Sequence, residues 1–258
     1  MSVWISRVPS TPSGCERGKP MSPTYKLEVV SDATQLAQNC AERIAALIDL
    51  ALDERDRAHI ALSGGTTPAA AYRVLNQEHL PWNRVDVVLG DERWVPPTDP
   101  ASNARMLRDT LLAAAGPGAS ARFHPVPTEL ASPEASVDAF ETYVRELCPG
   151  DPPIFDVMLL GLGDDGHTAS LFPGTPATRE RSRLVTIGAG KGMERISLTA
   201  PVLSAARQVI FLVSGAAKRQ ALQRLLDPAE QPERTPAKLV QPQAPVLVLA
   251  DTEAAQGI

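Results

Sequence analysis

From residue 24 onward the chain alternates two kinds of apolar pattern. Short, almost unbroken apolar runs recur as YKLEVV (25–30), AHIAL (58–62), VDVVL (85–89), RFHPV (122–126), FDVMLL (155–160), RLVTI (183–187), RISL (195–198), QVIFLV (208–213) and PVLVLA (245–250). Their length and β-branched content predict strands. Most are separated by longer amphipathic segments. In the first of these, Leu36, Ile44, Leu47, Ile48 and Ala51 recur at helical spacing behind Asp32, a good N-cap. Runs such as 155–160 and 208–213 lack a polar face, as strands do when helices cover both sides of a largely parallel sheet. The pattern predicts an α/β fold: a Rossmann-like, mostly parallel sheet flanked by helices on both faces.

The opening stretch, MSVWISRVPSTPSGCERGKP, has no such periodicity and no apolar core of the kind a secretory signal carries. A disordered tail over 1–23 is expected, with Met21 as a second candidate start. Residues 24–258 contain no repeat or linker and are expected to form one domain. With 258 residues and 43% hydrophobic content, the chain can bury a large core. None of its apolar runs approaches the roughly 20 residues that span a bilayer. A net charge of −5 supplies no basic field, which argues against nucleic acid as a partner. Cys15, Cys40 and Cys148 are odd in number and far apart, which suits a reducing compartment, and a cytoplasmic location is expected. After the last strand, DTEAAQGI leaves room for a short helix at most.

Four polar stretches begin where a buried strand ends: SGGTTP, GDERW, GLGDDGH and SGAAK. Ligands of open α/β sheets sit beyond the carboxyl ends of the strands, so the four loops are expected to share one pocket. In SGGTTP, Ser63, Gly64, Gly65 and Thr66 form a candidate phosphate seat, with Thr67 able to cap and Pro68 suited to the first helical position. No G-K-[ST] follows, so it is not a nucleoside-triphosphate loop. SGAAKRQAL repeats the strand–Ser–Gly–helix arrangement and adds Lys218, within reach of an anion at the helix start. In GDERW, Arg93 offers a guanidinium fork to a phosphate or carboxylate, and Asp91 or Glu92 can orient it or move protons. Plainer readings stand beside these: ordinary turn chemistry, a solvated lysine, an internal Arg–carboxylate pair. Ser102 and Asn103 read first as caps of the helix that follows them.

GLGDDGHTASLFP (161–173) contains a literal G-x-G-x-x-G at Gly161, Gly163 and Gly166. A dinucleotide fingerprint needs that turn to open a long helix onto a pyrophosphate. Here Asp164 and Asp165 place negative charge inside the turn, and Phe172-Pro173-Gly174 breaks any helix after one turn. The match is accidental. What remains is a strand-end loop presenting His167, a candidate general base, with Asp165 two residues away to set its tautomer.

Taken in order, ALSGGTTP, GDERWVPPTDPASNARML, FDVMLLGLGDDGHTASLFPGTP, RISLTAPVLSAARQVIFLVSGAAKRQAL and PAKLVQP resemble the signatures of the 6-phosphogluconolactonases, over about Thr24 to Asp251. The resemblance implies a deaminase/lactonase-type fold and hydrolysis of the δ-lactone of 6-phosphogluconate, with neither metal nor cofactor. It implies His167 as base and Arg93 and Lys218 as phosphate ligands. The expected partner is a small sugar-phosphate lactone, not nucleic acid or membrane, bound by a monomer or weak dimer. The glucosamine-6-phosphate deaminases of the same fold read IAFNEP after D-G-H, with a glutamate that works with the histidine; this chain reads TASLFP, with Phe172 at that place. They also carry D-E-Y where this chain has Arg93. A non-catalytic sugar-phosphate sensor is the alternative from another class.

Overall fold

The computed structural model describes residues 24–258; the tail expected over 1–23 lies outside them. In chain order the strands are β1 (Tyr25–Val30), β2 (Ala58–Leu62), β3 (Val85–Leu89), β4 (Asp91–Arg93), β5 (Arg122–Phe123), β6 (Val157–Gly161), β7 (Val185–Gly190), β8 (Met193–Leu198), β9 (Gln208–Val213) and β10 (Val246–Asp251). The helices are α1 (Ala33–Glu54), α2 (Thr66–Leu75), α3 (Asn103–Arg108), α4 (Pro133–Leu147), α5 (Ala200–Ala205) and α6 (Arg219–Leu226).

Seven strands form a sheet in the order β1-β10-β9-β6-β2-β3-β5, every neighbouring pair parallel. Its two faces are both covered, as the unbroken apolar strands require. In β6, Val157 and Leu159 join the core under α1 and α2, while Met158 and Leu160 join the opposite core with Phe140, Leu203 and Leu222. Asp32 caps α1 by accepting the amides of Thr34 and Gln35, and Leu36, Ile44, Ile48 and Ala51 are buried below it. Leu47 lies at the margin, half-buried. Each fully buried Leu or Ile stabilises the fold by about 1.5–3 kcal/mol.

Three strands depart from the expected sheet. β8 pairs antiparallel with β7 on one side and with β4 on the other, as a separate small sheet. β4 is three residues long and charged, too short and polar for periodicity to reveal. The run 122–126 reduces to a two-residue β5, because Pro125 and Pro127 have no amide to donate to a ladder. Residues 252–257 after β10 form turns, without a helix. No helix among the described residues is long and apolar enough to cross a membrane.

The chain's direction through the main sheet reverses around β6, which lies between β9 and β2. The loops leaving β2, β6 and β9 therefore open into one crevice, at the point where α/β sheets bind ligands. The small sheet walls that crevice, because β4 continues directly from β3 and β8 pairs with β4.

Candidate active site

A cleft of about 170 Å³ is lined by Ser63, Gly64, Asp91, Arg93, Asn103, Gly161, Leu162, Gly163, His167, Ala169, Lys191, Arg195 and Lys218. Of the expected residues, Ser63, Gly64, Asp91, Arg93, His167 and Lys218 meet there. Gly65, Thr66 and Asp165 are not on its wall. Gly65 caps α2 at φ +116°, a left-handed conformation that a threonine would strain to adopt. The helix consequently starts at Thr66, Pro68 is its third residue, and Thr67 makes no cap. Ser63 is held by the buried Tyr72 hydroxyl, which accepts its amide at 3.0 Å and donates to its carbonyl at 2.8 Å. The Ser63 hydroxyl has no partner among the described residues.

The GDER acids have separate duties. Glu92 is buried and accepts the amides of Arg93 (2.8 Å), Asn103 (2.7 Å) and Ala104 (2.7 Å), clamping the start of α3. Burial raises its pKa against those donors. Asp91 accepts from the Ser170 hydroxyl at 2.5 Å and faces the Arg195 guanidinium at 3.7 Å. Arg93 donates Nη1 to the Ala101 carbonyl at 2.5 Å, and its Nε has no partner among the described residues. The internal Arg93–carboxylate pair is not formed among the described residues. Ser102 caps α3 as expected, accepting from the Arg105 amide. Asn103 differs: its side chain donates to the Asp91 carbonyl at 2.9 Å and borders the cleft.

His167 sits on the loop after β6. No helix follows that loop; the next helical turn is Pro176–Arg179, so the glycine motif does not open a dinucleotide site. Asp165 Oδ1 receives both the His167 amide, at 3.0 Å, and ring Nδ1, at 2.5 Å. With Nδ1 donating, Nε2 carries the lone pair. Phe172 stacks on the imidazole, 4.2 Å between centroids and 30° between planes. A Cβ at Gly163 would collide with that ring, so only glycine lets the loop carry the imidazole there. Burial lowers the His167 pKa below its ordinary 6.5, and the Asp165 hydrogen bond and charge oppose it. Asp165 is itself held below the usual carboxylate range: burial pushes it up, and the two His167 hydrogen bonds together with the His167 and Lys191 charges outweigh that push.

Lys218 ends a short 3-10 turn, Ala216–Lys218, directly before α6. The loop in front of it is not the open anion seat its sequence resembles. The Asp251 carboxylate, at the end of β10, accepts the Ser214 hydroxyl (2.5 Å), the Gly215 amide (3.0 Å) and the Ala254 amide (2.8 Å).

Two cleft cations were not singled out from sequence. Arg195 lies inside RISL, where an arginine in an otherwise buried strand was the available signal. Lys191 occupies the β7–β8 turn between Gly190 and Gly192, 3.7 Å from Asp164. Among the described residues lining the cleft, Arg93, Lys191, Arg195 and Lys218 face a single carboxylate, Asp91. Such a cleft suits an anionic ligand beside a neutral imidazole.

Residues 31–249 match the family described as glucosamine-6-phosphate isomerases/6-phosphogluconolactonase. A 6-phosphogluconolactonase of Synechocystis sp. is 39% identical over 236 residues, 90% of this chain and 98% of its own. The solved 6-phosphogluconolactonase of Trypanosoma brucei superposes with a TM-score of 0.81 at 28% identity, covering 92% of this chain and all of its own. A monomeric glucosamine-6-phosphate deaminase, at 23% identity and a TM-score of 0.74, shares the fold. By both the family match and the extent of these likenesses, the chain belongs to the glucosamine-6-phosphate isomerase/6-phosphogluconolactonase family.

Proposed function

We propose that the cleft hydrolyses 6-phospho-D-glucono-1,5-lactone to 6-phospho-D-gluconate, the lactone-opening step of the oxidative pentose phosphate pathway. His167 is the general base and Asp165 its orienting partner. Nε2 takes a proton from water as the water oxygen bonds to the lactone carbonyl carbon. The ring oxygen then leaves and receives that proton. Arg93, Lys218 and the Ser63-Gly64 turn hold the phosphate, with Gly65 and Thr66 shaping the turn, and Asp91 lines the same cleft beside Arg195. Positioning through the phosphate adds to the base, because the lactone also opens slowly in water.

The observation that carries this reading is His167 on the wall of a cleft rich in cations, its ring held from behind by Asp165 at 2.5 Å. Phe172 against the imidazole favours the lactonase over the deaminase, since it supplies no carboxyl at the place where the deaminases carry theirs. On the same reading residues 24–258 form one catalytic domain working in the cytoplasm as a monomer or weak dimer.

The test generates lactone freshly with glucose-6-phosphate dehydrogenase and follows its loss with wild-type protein and with His167→Ala. The expected result is acceleration by wild type that falls about 10²–10⁴-fold in the variant. Wild type that binds 6-phosphogluconate without accelerating hydrolysis would make the protein a sensor and overturn the proposal.

A further inference from the structure

Of the four cleft cations, Arg195 is the one whose surroundings the phosphate assignment does not explain. It is more than nine-tenths buried, projecting from β8 into the cleft wall. Its guanidinium carbon lies 5.3 Å from the centre of the Phe172 ring, whose stacking partner is His167. One aromatic side chain is thus in contact with both the base and this cation. Asp91 does not satisfy Arg195: the 3.7 Å separation is too long for a hydrogen bond, and the same carboxylate oxygen accepts from Ser170 at 2.5 Å. The Arg195 Nε has no partner among the described residues. A buried guanidinium with free donors is costly unless something in the cleft accepts from it. Lys191, by contrast, is exposed and already near Asp164.

We infer that Arg195 receives the charge that develops on the lactone carbonyl oxygen and then holds the carboxylate of the product; this rests on the lactonase reading above. When the water oxygen bonds to the carbonyl carbon, the π electron pair of C=O moves onto oxygen, beside the guanidinium. The pair returns as the bond to the ring oxygen breaks, and that oxygen takes the proton held by His167. The product acid releases its remaining proton to solvent, and the carboxylate presents two oxygens to a planar fork, a geometry that Arg matches and Lys does not. The reacting end is therefore served by His167 and Arg195, across Phe172, and the phosphate end by Arg93 and Lys218.

The test compares two ligands by calorimetry, 6-phosphogluconate and 1,5-anhydroglucitol 6-phosphate, which keeps the phosphate and lacks the carboxylate. Wild type is expected to bind 6-phosphogluconate about 10–100-fold more tightly, the worth of a charge-assisted hydrogen bond. Arg195→Lys and Arg195→Gln are expected to remove that preference, leave the anhydroglucitol phosphate affinity within about twofold, and lower kcat about 10²–10³-fold, as loss of an oxyanion donor does. Equal loss of both ligands would make Arg195 a phosphate ligand and overturn the inference, as would an unchanged kcat. If neither variant folds, the wild-type comparison still decides: equal binding of the two ligands overturns it. Failure of wild type to hydrolyse lactone would instead overturn the lactonase reading itself.

Discussion

The two ends of the main sheet carry the same kinds of charged side chain and arrange them oppositely. At the amino ends of the strands, buried carboxylates are surrounded by partners. Asp86 accepts from Arg57 and from His124 at 2.7 Å, with His59 at 3.7 Å, and the Tyr143 hydroxyl closes on the far nitrogen of His124. Asp156 holds Arg55 at 2.9 Å, Arg207 at 3.3 Å and the His59 amide at 2.8 Å. At the carboxyl ends, Arg93, Lys191, Arg195 and Lys218 line a cleft whose one lining carboxylate among the described residues is Asp91, and only Arg195 approaches it, at 3.7 Å. Acids closed on their cations make a strut. Cations gathered in a cleft around one acid make a binding site.

This contrast breaks down if substitutions at one end produce the effects expected of the other. The largest expected effect is that of His167→Ala, about 10²–10⁴-fold in kcat with an unchanged melting temperature. At the opposite end, Asp86→Asn should cost about 3 kcal/mol of stability, read by urea unfolding, and leave kcat alone. Burial alone would raise the Asp86 carboxyl; its bonds to Arg57 and His124 hold it lower. The stability it gives is therefore present above its unfolded pKa and is lost as the pH falls through its lower folded value. A flatter acid limb of the stability curve in Asp86→Asn would sharpen the contrast. Arg93→Ala and Lys218→Ala should each raise KM about 10–100-fold while changing kcat less. Neither variant shifting KM would remove both from the phosphate site. The smallest effect is a displacement along the pH axis. Wild-type kcat/KM should rise through a pKa below 6.5, since burial keeps His167 neutral. Asp165→Asn removes the partner that favours the imidazolium, so the rise should move to lower pH, with a turnover reduced about tenfold or more by loss of the fixed tautomer.

Much of the sheet was legible because apolar runs without a polar face have few other uses in a globular chain. β1, β2, β3 and β9 keep their expected bounds. The small sheet was not, because β4 is made of DER, whose side chains answer to the cleft and to α3 rather than to a two-residue period. Among cleft residues, those beside glycines at strand ends were readable from local turn chemistry: Gly64, Arg93, His167 and Lys218. Arg195 was not, since its role depends on Phe172 and Asp91, distant in sequence and adjacent only once β8 pairs with β4. SGAAK misled in one detail for the same reason. The acceptor that occupies the Gly215 amide lies 36 residues further on, at Asp251.

The pairing of β1 with β10 bears on how the molecule is made. Their register, Tyr25 with Val246 through Val30 with Asp251, joins strands more than two hundred residues apart. A contact of that sequence separation forms late, because a long loop must close before it gains anything. During synthesis β1 emerges first and has no neighbour until β10 arrives, so an exposed strand edge persists while the rest of the chain folds. The same late strand brings Asp251, which ties down the loop ahead of Lys218. Catalytic competence should therefore appear abruptly on completion of the chain, and nascent chains lacking β10 should be inactive even where their earlier strands have folded.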